Sequence, residues 1–154
     1  MKRIILLALL CGASASVAAD ERLALLESRL DNDLAGKVVV VDFWASWCVP
    51  CRRSFPWMNA MQAKYGNERL VIVGVNLDRN RDDADTFLAE TPADFHIHYD
   101  GTADLARTFG VEAMPSSFVF GRDGELHARH LGFKVKRQPE YEAALVTAMG
   151  ESTE

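Results

Sequence analysis

An α/β fold, with a mixed central sheet covered by helices on both faces, is predicted from three observations. Short apolar, β-branched runs alternate with helical patterns between residues 38 and 109, which is the rhythm of strand-helix crossover units. An Asp-Gly turn then separates two strand-like runs and joins them as an antiparallel hairpin. A last helical segment follows the hairpin, so parallel and antiparallel pairing belong to one sheet.

The first residues are read apart from the fold. Met1-Lys2-Arg3, the apolar stretch from Ile4 to Leu10 and the small residues from Ala13 to Ala19 have the layout of a cleaved secretory signal, with cleavage near Ala19-Asp20. The apolar run is far short of the ~20 residues needed to span a bilayer. Cys11 follows that run, as a lipidated cysteine does, but the bulky Leu10 before it argues against lipidation and Val17-Ala18-Ala19 offers the better cleavage site. Residues 1–19 are thus expected to be a signal peptide, 20–150 one domain and 151–154 a tail. Removing Lys2 and Arg3 leaves 15 basic residues against 22 acidic ones. That balance argues against nucleic acid and anionic membrane surfaces as partners.

Each element of the domain has a local reason. Leu23, Leu26, Leu30 and Leu34 recur at helical spacing, which predicts a short amphipathic helix over residues 20 to 34. Val38 to Ala45 reads as a strand buried on both faces. A helix is predicted from about Cys48 through Met58, Met61 and Tyr65 to Gly66, with Pro50 in its first turn and Pro56 kinking it. Leu70 to Leu77 is a second buried strand, Asp83 to Ala89 a helix and Phe95 to Tyr99 a third strand. Thr102 to Phe109 is a helix closed by Gly110. Ser116 to Phe120 and Glu125 to Leu131 form the hairpin around Asp123-Gly124, and Pro139 to Met149 closes the chain as a helix.

With Cys11 lost in the signal, the mature chain keeps two cysteines, Cys48 and Cys51, spaced as a CxxC where a buried strand gives way to a helix. At that point free backbone N–H groups and the positive end of the helix dipole favour a thiolate on the first cysteine. Cys48 is therefore the expected nucleophile and Cys51, one turn on, the resolving thiol. A structural bridge closing so short a loop would contribute little stability. A zinc site lacks its further ligands, because the four histidines lie far along the chain without close spacing. No metal and no cofactor are expected, and His96 and His98 read as surface residues.

The run from Asp42 to Arg53, Asp-Phe-Trp-Ala-Ser-Trp-Cys-Val-Pro-Cys-Arg-Arg, with Pro56 after it, resembles thioredoxins. So does the run from Gly110 to Phe118, followed by a hairpin and Gly132. Within that superfamily the chain is similar to the TlpA and ResA group of exported disulfide reductases, which carry a strand-helix insertion that residues 76 to 99 supply here. The resemblance implies a thioredoxin fold and a cis peptide bond before Pro115 that places backbone beside Cys48 for an extended client. It makes Trp47, Pro50, Met114 and Pro115 the client-binding residues, with plain packing the alternative for Trp47. The chain departs from the group in lacking an N-terminal β-hairpin, in having Ser54 and Phe55 where a glutamate is common, and in carrying Asp42 where many members are neutral.

Asp42 lies in a strand of Val, Phe and Trp, so its pKa is expected to be raised. The resemblance assigns it the Cys51 proton; an acid hydrogen-bonded to backbone is the alternative. Arg52 and Arg53 read as a solvated helix face, and Trp44 as core. The functional expectation is a monomeric periplasmic thiol-disulfide oxidoreductase that reduces protein clients and is recharged by a membrane thiol donor. Cytochrome c or cytochrome oxidase maturation is the setting the resemblance suggests. Val49-Pro50 offers no cation to stabilise the thiolate, which favours reduction. A copper(I) delivery module, for which soft thiolates are suited, and a disulfide donor or isomerase are the rivals.

Overall fold

The computed structural model describes residues 17–30, 34–66 and 69–150, with side chains from residue 21 onward. Most of the predicted signal, including Cys11, and the tail 151–154 lie outside the described residues. The elements follow in the order α1 (Val17–Glu27), β1 (Val38–Trp44), α2 (Val49–Tyr65), β2 (Leu70–Asn76), α3 (Arg81–Glu90), β3 (His96–Tyr99), α4 (Asp104–Phe109), β4 (Ser116–Phe120), β5 (Leu126–Leu131) and α5 (Gln138–Ala148). The sheet order is β3-β2-β1-β4-β5, with β1, β2 and β3 parallel and β4 antiparallel to both its neighbours, β1 and β5. This is the predicted mixed sheet of the thioredoxin fold.

β1 is central, and all seven of its residues are buried. Because side chains alternate along a strand, it feeds two cores. Val39, Val41 and Phe43 join Leu26, Leu105, Phe109, Phe118 and Phe120 on one face. Val38, Val40 and Trp44 join Cys48, Cys51, Phe55 and Met58 of α2, Phe87 of α3 and Leu145 of α5 on the other. The predicted insertion is α3 and β3. Its Phe87 and Phe95 pack on Phe55 with ring centroids 5.0 and 5.2 Å apart, which fixes the insertion to the helix that carries the cysteines.

The first helix departs from expectation. α1 begins at Val17, before the predicted cleavage point, and ends at Glu27 rather than at residue 34. Ser28 Oγ donates to the Leu25 carbonyl at 2.7 Å, and the next backbone bonds are the tighter turn bonds of Arg29 to Leu26 and Leu30 to Glu27. Such a hydroxyl competes with helix propagation. Leu26 and Leu34 are still buried in one core, so the leucine spacing reports burial correctly and helix length incorrectly. At α3 the helix starts two residues earlier than predicted, because the Asn80 side chain caps it by accepting from the Asp82 N–H at 3.2 Å.

Candidate active site

The site is built at the C-terminal end of β1. After Trp44 the chain turns, and Cys48 stands as the N-cap of α2 with extended backbone dihedrals of −84° and 98°. An N-cap side chain faces the free N–H groups of the first helical turn. Here that side chain is a sulfur: Cys48 Sγ accepts from the Cys51 N–H at 3.3 Å. Pro50 falls in the first turn, where its missing N–H costs nothing.

Cys48 and Cys51 are joined by a disulfide, with their Cα atoms 5.3 Å apart. The two sulfurs are not equivalent. Cys48 retains 4% of its surface and Cys51 none. Around Cys48 the flanking residues Trp47 and Val49 are 71% and 61% exposed, although both are large apolar side chains. Arg52 and Arg53 are both exposed, as expected, and Arg52 also reaches the end of α3: its guanidinium donates to Glu90 and Thr91 at 3.0 and 3.1 Å and lies 4.6 Å from the centre of the Phe87 ring.

The peptide bond between Met114 and Pro115 is cis, as the resemblance implies. Met114 packs, half-buried, against the core cluster that contains both cysteines. Pro115 begins the hairpin, and its carbonyl accepts from the Gly132 N–H at 2.8 Å, tying the start of β4 to the end of β5. Cys48, Cys51 and Met114 thus meet in one cluster, with Trp47, Pro50 and Pro115 adjoining them in sequence.

Asp42 is 1% exposed and faces the α2 side of the sheet, like its alternation partners Val40 and Trp44. Its Oδ1 accepts from the Ser117 hydroxyl at 2.5 Å, while Oδ2 has no partner among the described residues. Burial raises its pKa to about 7, against the opposing effect of the Ser117 hydrogen bond. The expected raised value is therefore present, and the alternative of an acid bonded to backbone is not. A cavity adjoins the carboxyl, lined from α2 by Ser54 and Met58. Ser54 stands one turn beyond Cys51 and donates to the Cys51 carbonyl at 2.9 Å.

Ser117 was not marked by the sequence. Its only signal is a hydroxyl residue in an apolar strand opposite Asp42, and that pairing requires the β1-β4 register to be known. His96 and His98 lie on the edge strand β3, where burial lowers the His98 pKa.

A thioredoxin-type fold that places a disulfide-forming CxxC at the N-cap of its second helix, with a cis-proline before its hairpin, defines a thioredoxin-like protein with a thiol-disulfide redox centre. Residues 21–145 match the Redoxin family, and the chain belongs to it. It is 31% identical over 109 residues to the thiol-disulfide oxidoreductase ResA of Bacillus thuringiensis, covering 71% of this chain and 63% of the relative. It is 30% identical over 116 residues to ResA of Geobacillus thermodenitrificans, covering 74% of this chain and 67% of that one. The chain thus spans under two thirds of the first relative's length. Among solved structures it is similar to a Chlorobium tepidum protein assigned as thiol:disulfide interchange protein DsbE, with a TM-score of 0.74 and 43% identity over 81% of this chain and 85% of that one.

Proposed function

We propose that the protein is a thiol-disulfide oxidoreductase that reduces disulfides of protein clients through Cys48 and Cys51. The observation that carries this reading is the cysteine N-cap: a sulfur that accepts a helix N–H and sits at the positive end of α2 is stabilised as a thiolate. In the reduced protein the Cys48 thiolate attacks one sulfur of the client disulfide, and the other client sulfur leaves as a thiolate. Cys51 then gives its proton to Asp42 and attacks Cys48 Sγ. The second client thiolate departs, the client is reduced by two electrons, and the protein holds the Cys48–Cys51 disulfide.

The exposed Trp47 and Val49, with the half-buried Met114, offer clients an apolar rim around a nearly buried nucleophile, and Pro115, itself buried, contributes through the cis backbone it sets. Direction follows from Val49-Pro50, which puts no cation beside the thiolate. Among proteins of this fold, oxidant and reductant differ by ~150 mV, or ~7 kcal/mol, in such thiolate stabilisation. In our reading residues 1–19 are a cleaved export signal, residues 20–150 work as a monomeric domain in the periplasm, and a membrane thiol donor restores the dithiol. Among the described residues no helix is long and apolar enough to cross a membrane. Cytochrome c or cytochrome oxidase maturation, the setting suggested by the family, supplies clients of the required kind.

The test is insulin reduction beside an anaerobic copper(I) titration. The proposal requires turnover with dithiol as electron source and loss of turnover in Cys48→Ser. Tight stoichiometric copper(I) binding without turnover would make the protein a metal carrier instead.

A further inference from the structure

The cavity beside Asp42 does not end there. Asp42 of β1 is paired with Ser117 of β4, and Ser117 is paired with His130 of β5. Residues directly opposite one another across strands share a face, so these three side chains form a polar row across the sheet, beneath α2 and α5. Asp42, Ser117 and His130 all line one cavity with about 20 Å3 open to the centre of a water molecule. One water needs roughly 10–15 Å3 on that measure.

Two atoms of this row are buried with no partner among the described residues: Asp42 Oδ2 and His130 Nε2. Each such atom costs ~1–3 kcal/mol if it stays unpaired. Unpartnered polar atoms of two residues that line one cavity with room for a water have a common solution, a shared water. The row also has a direction. Asp42 is fully buried at the centre of the sheet, while His130 is half-buried on the edge strand β5.

We propose that the cavity holds a bridging water through which His130 takes from Asp42 the proton released by Cys51 and passes it to solvent. This rests on the role proposed above for Asp42. His130 acts through that acid and is a positioning residue. The balance is simple. The Cys51 thiol proton goes to the Asp42 carboxylate; the carboxylic acid gives a proton to the water, which gives one of its own to the imidazole; the imidazolium then loses a proton to bulk water. No electron moves in the relay, and it runs backward when the disulfide is reduced again.

The surroundings suit such a transfer. Burial, aided by the Arg137 charge, lowers the imidazole pKa while Glu140 raises it, so the imidazole releases an accepted proton to solvent more readily than a free one, and burial brings Asp42 up to about 7. The groups facing His130 are Tyr141, with ring centroids 4.9 Å apart, and Arg137 and Glu140, which pair with each other at 2.7 Å. From β4 the neighbour is Ser117, from β1 Asp42, and the α2 residues that line the cavity carry no charge.

The experiment uses the reduced full chain mixed rapidly with excess disulfide-bonded peptide, following formation and resolution of the mixed disulfide from pH 5.5 to 8.5. His130→Gln is expected to leave the first attack unchanged, to slow resolution about tenfold near pH 7, part of the usual gain from acid-base catalysis, and to change the pH profile of that step. Asp42→Asn combined with His130→Gln should be no slower than Asp42→Asn alone, because both changes cut one path. His130→Leu, which keeps the bulk of the ring, guards against a folding defect in the first variant. If both His130 variants match wild type across the range while Asp42→Asn is slow, the relay is overturned and the reductase reading stands. Additive losses in the double variant also overturn it. If Asp42→Asn itself matches wild type, relay and proton acceptor both fall; if wild type forms no mixed disulfide, the function is wrong.

Discussion

β1 sends Val39, Val41 and Phe43 to one side of the sheet and Val40, Asp42 and Trp44 to the other. On the first side Phe43, Phe109, Phe118 and Phe120 meet edge to face or tilted, with centroids 5.2 to 6.1 Å apart, and the buried Ser116 on that face donates its hydroxyl to the Ala113 carbonyl at 2.7 Å. On the second side lie the cysteines, the cavity, and the buried side-chain atoms that lack partners among the described residues: Asp42 Oδ2, Trp44 Nε1 and His130 Nε2. One face is thus optimised for burial and the other tolerates polar cost. Such cost is expected where chemistry, rather than stability, sets the residue.

Two other buried acids sharpen the contrast. Asp100 accepts from the N–H groups of Asp104 and Ala106, and Asp78 accepts from the Ser46 N–H and hydroxyl and from the Asn76 amide. Both hold loops and are well supplied with donors. Asp42 has one hydroxyl.

The largest effect should come from the α2 face. Cys48→Ser is expected to reduce disulfide exchange to the uncatalysed background, while Cys51→Ser still attacks and accumulates mixed disulfides with clients. Gel shift after alkylation reads the difference. Accumulation by Cys48→Ser and none by Cys51→Ser would reverse the roles.

On the other face, Phe118→Ala should cost ~3–5 kcal/mol of stability in urea unfolding. Exchange by the folded fraction should change less than about twofold, since this core touches neither cysteine; a loss as large as that of Cys48→Ser would show that the faces are coupled.

Asp42→Asn should have opposite effects on stability and rate. An acid whose folded pKa of about 7 lies above the 3.8 of the exposed group holds its proton more tightly when folded. The stability it confers is complete below pH ~4 and is lost as pH rises through about 7. Replacement by Asn should therefore stabilise the oxidised protein by up to ~4 kcal/mol at pH 8 and by little near pH 4. Resolution of the mixed disulfide should slow at neutral pH. Unfolding curves that shift equally at both pH values would mean that Asp42 is not buried as an acid.

Much of the fold was legible because local and global signals agree. The strands β1 and β2, buried on both faces, read as continuous apolar runs, and the Asp-Gly turn set the hairpin. The thiol pair and the cis-proline were legible because few residue types serve those positions. His130 was not. Its face depends on the β4-β5 register, which carries an irregularity at Val119 and Phe120, and a slip of one residue turns every side chain over. The end of α1 was missed for a different reason: Leu30 and Leu34 continue to face the core after Ser28 has turned the chain.

The reduction potential of the Cys48–Cys51 pair, measured by equilibrating the full chain with glutathione buffers, tests the reductase reading most directly. Glutathione should leave the pair almost wholly oxidised, with a potential nearer ~−270 mV than ~−120 mV. A value at the oxidising end would make the protein a disulfide donor and contradict the account.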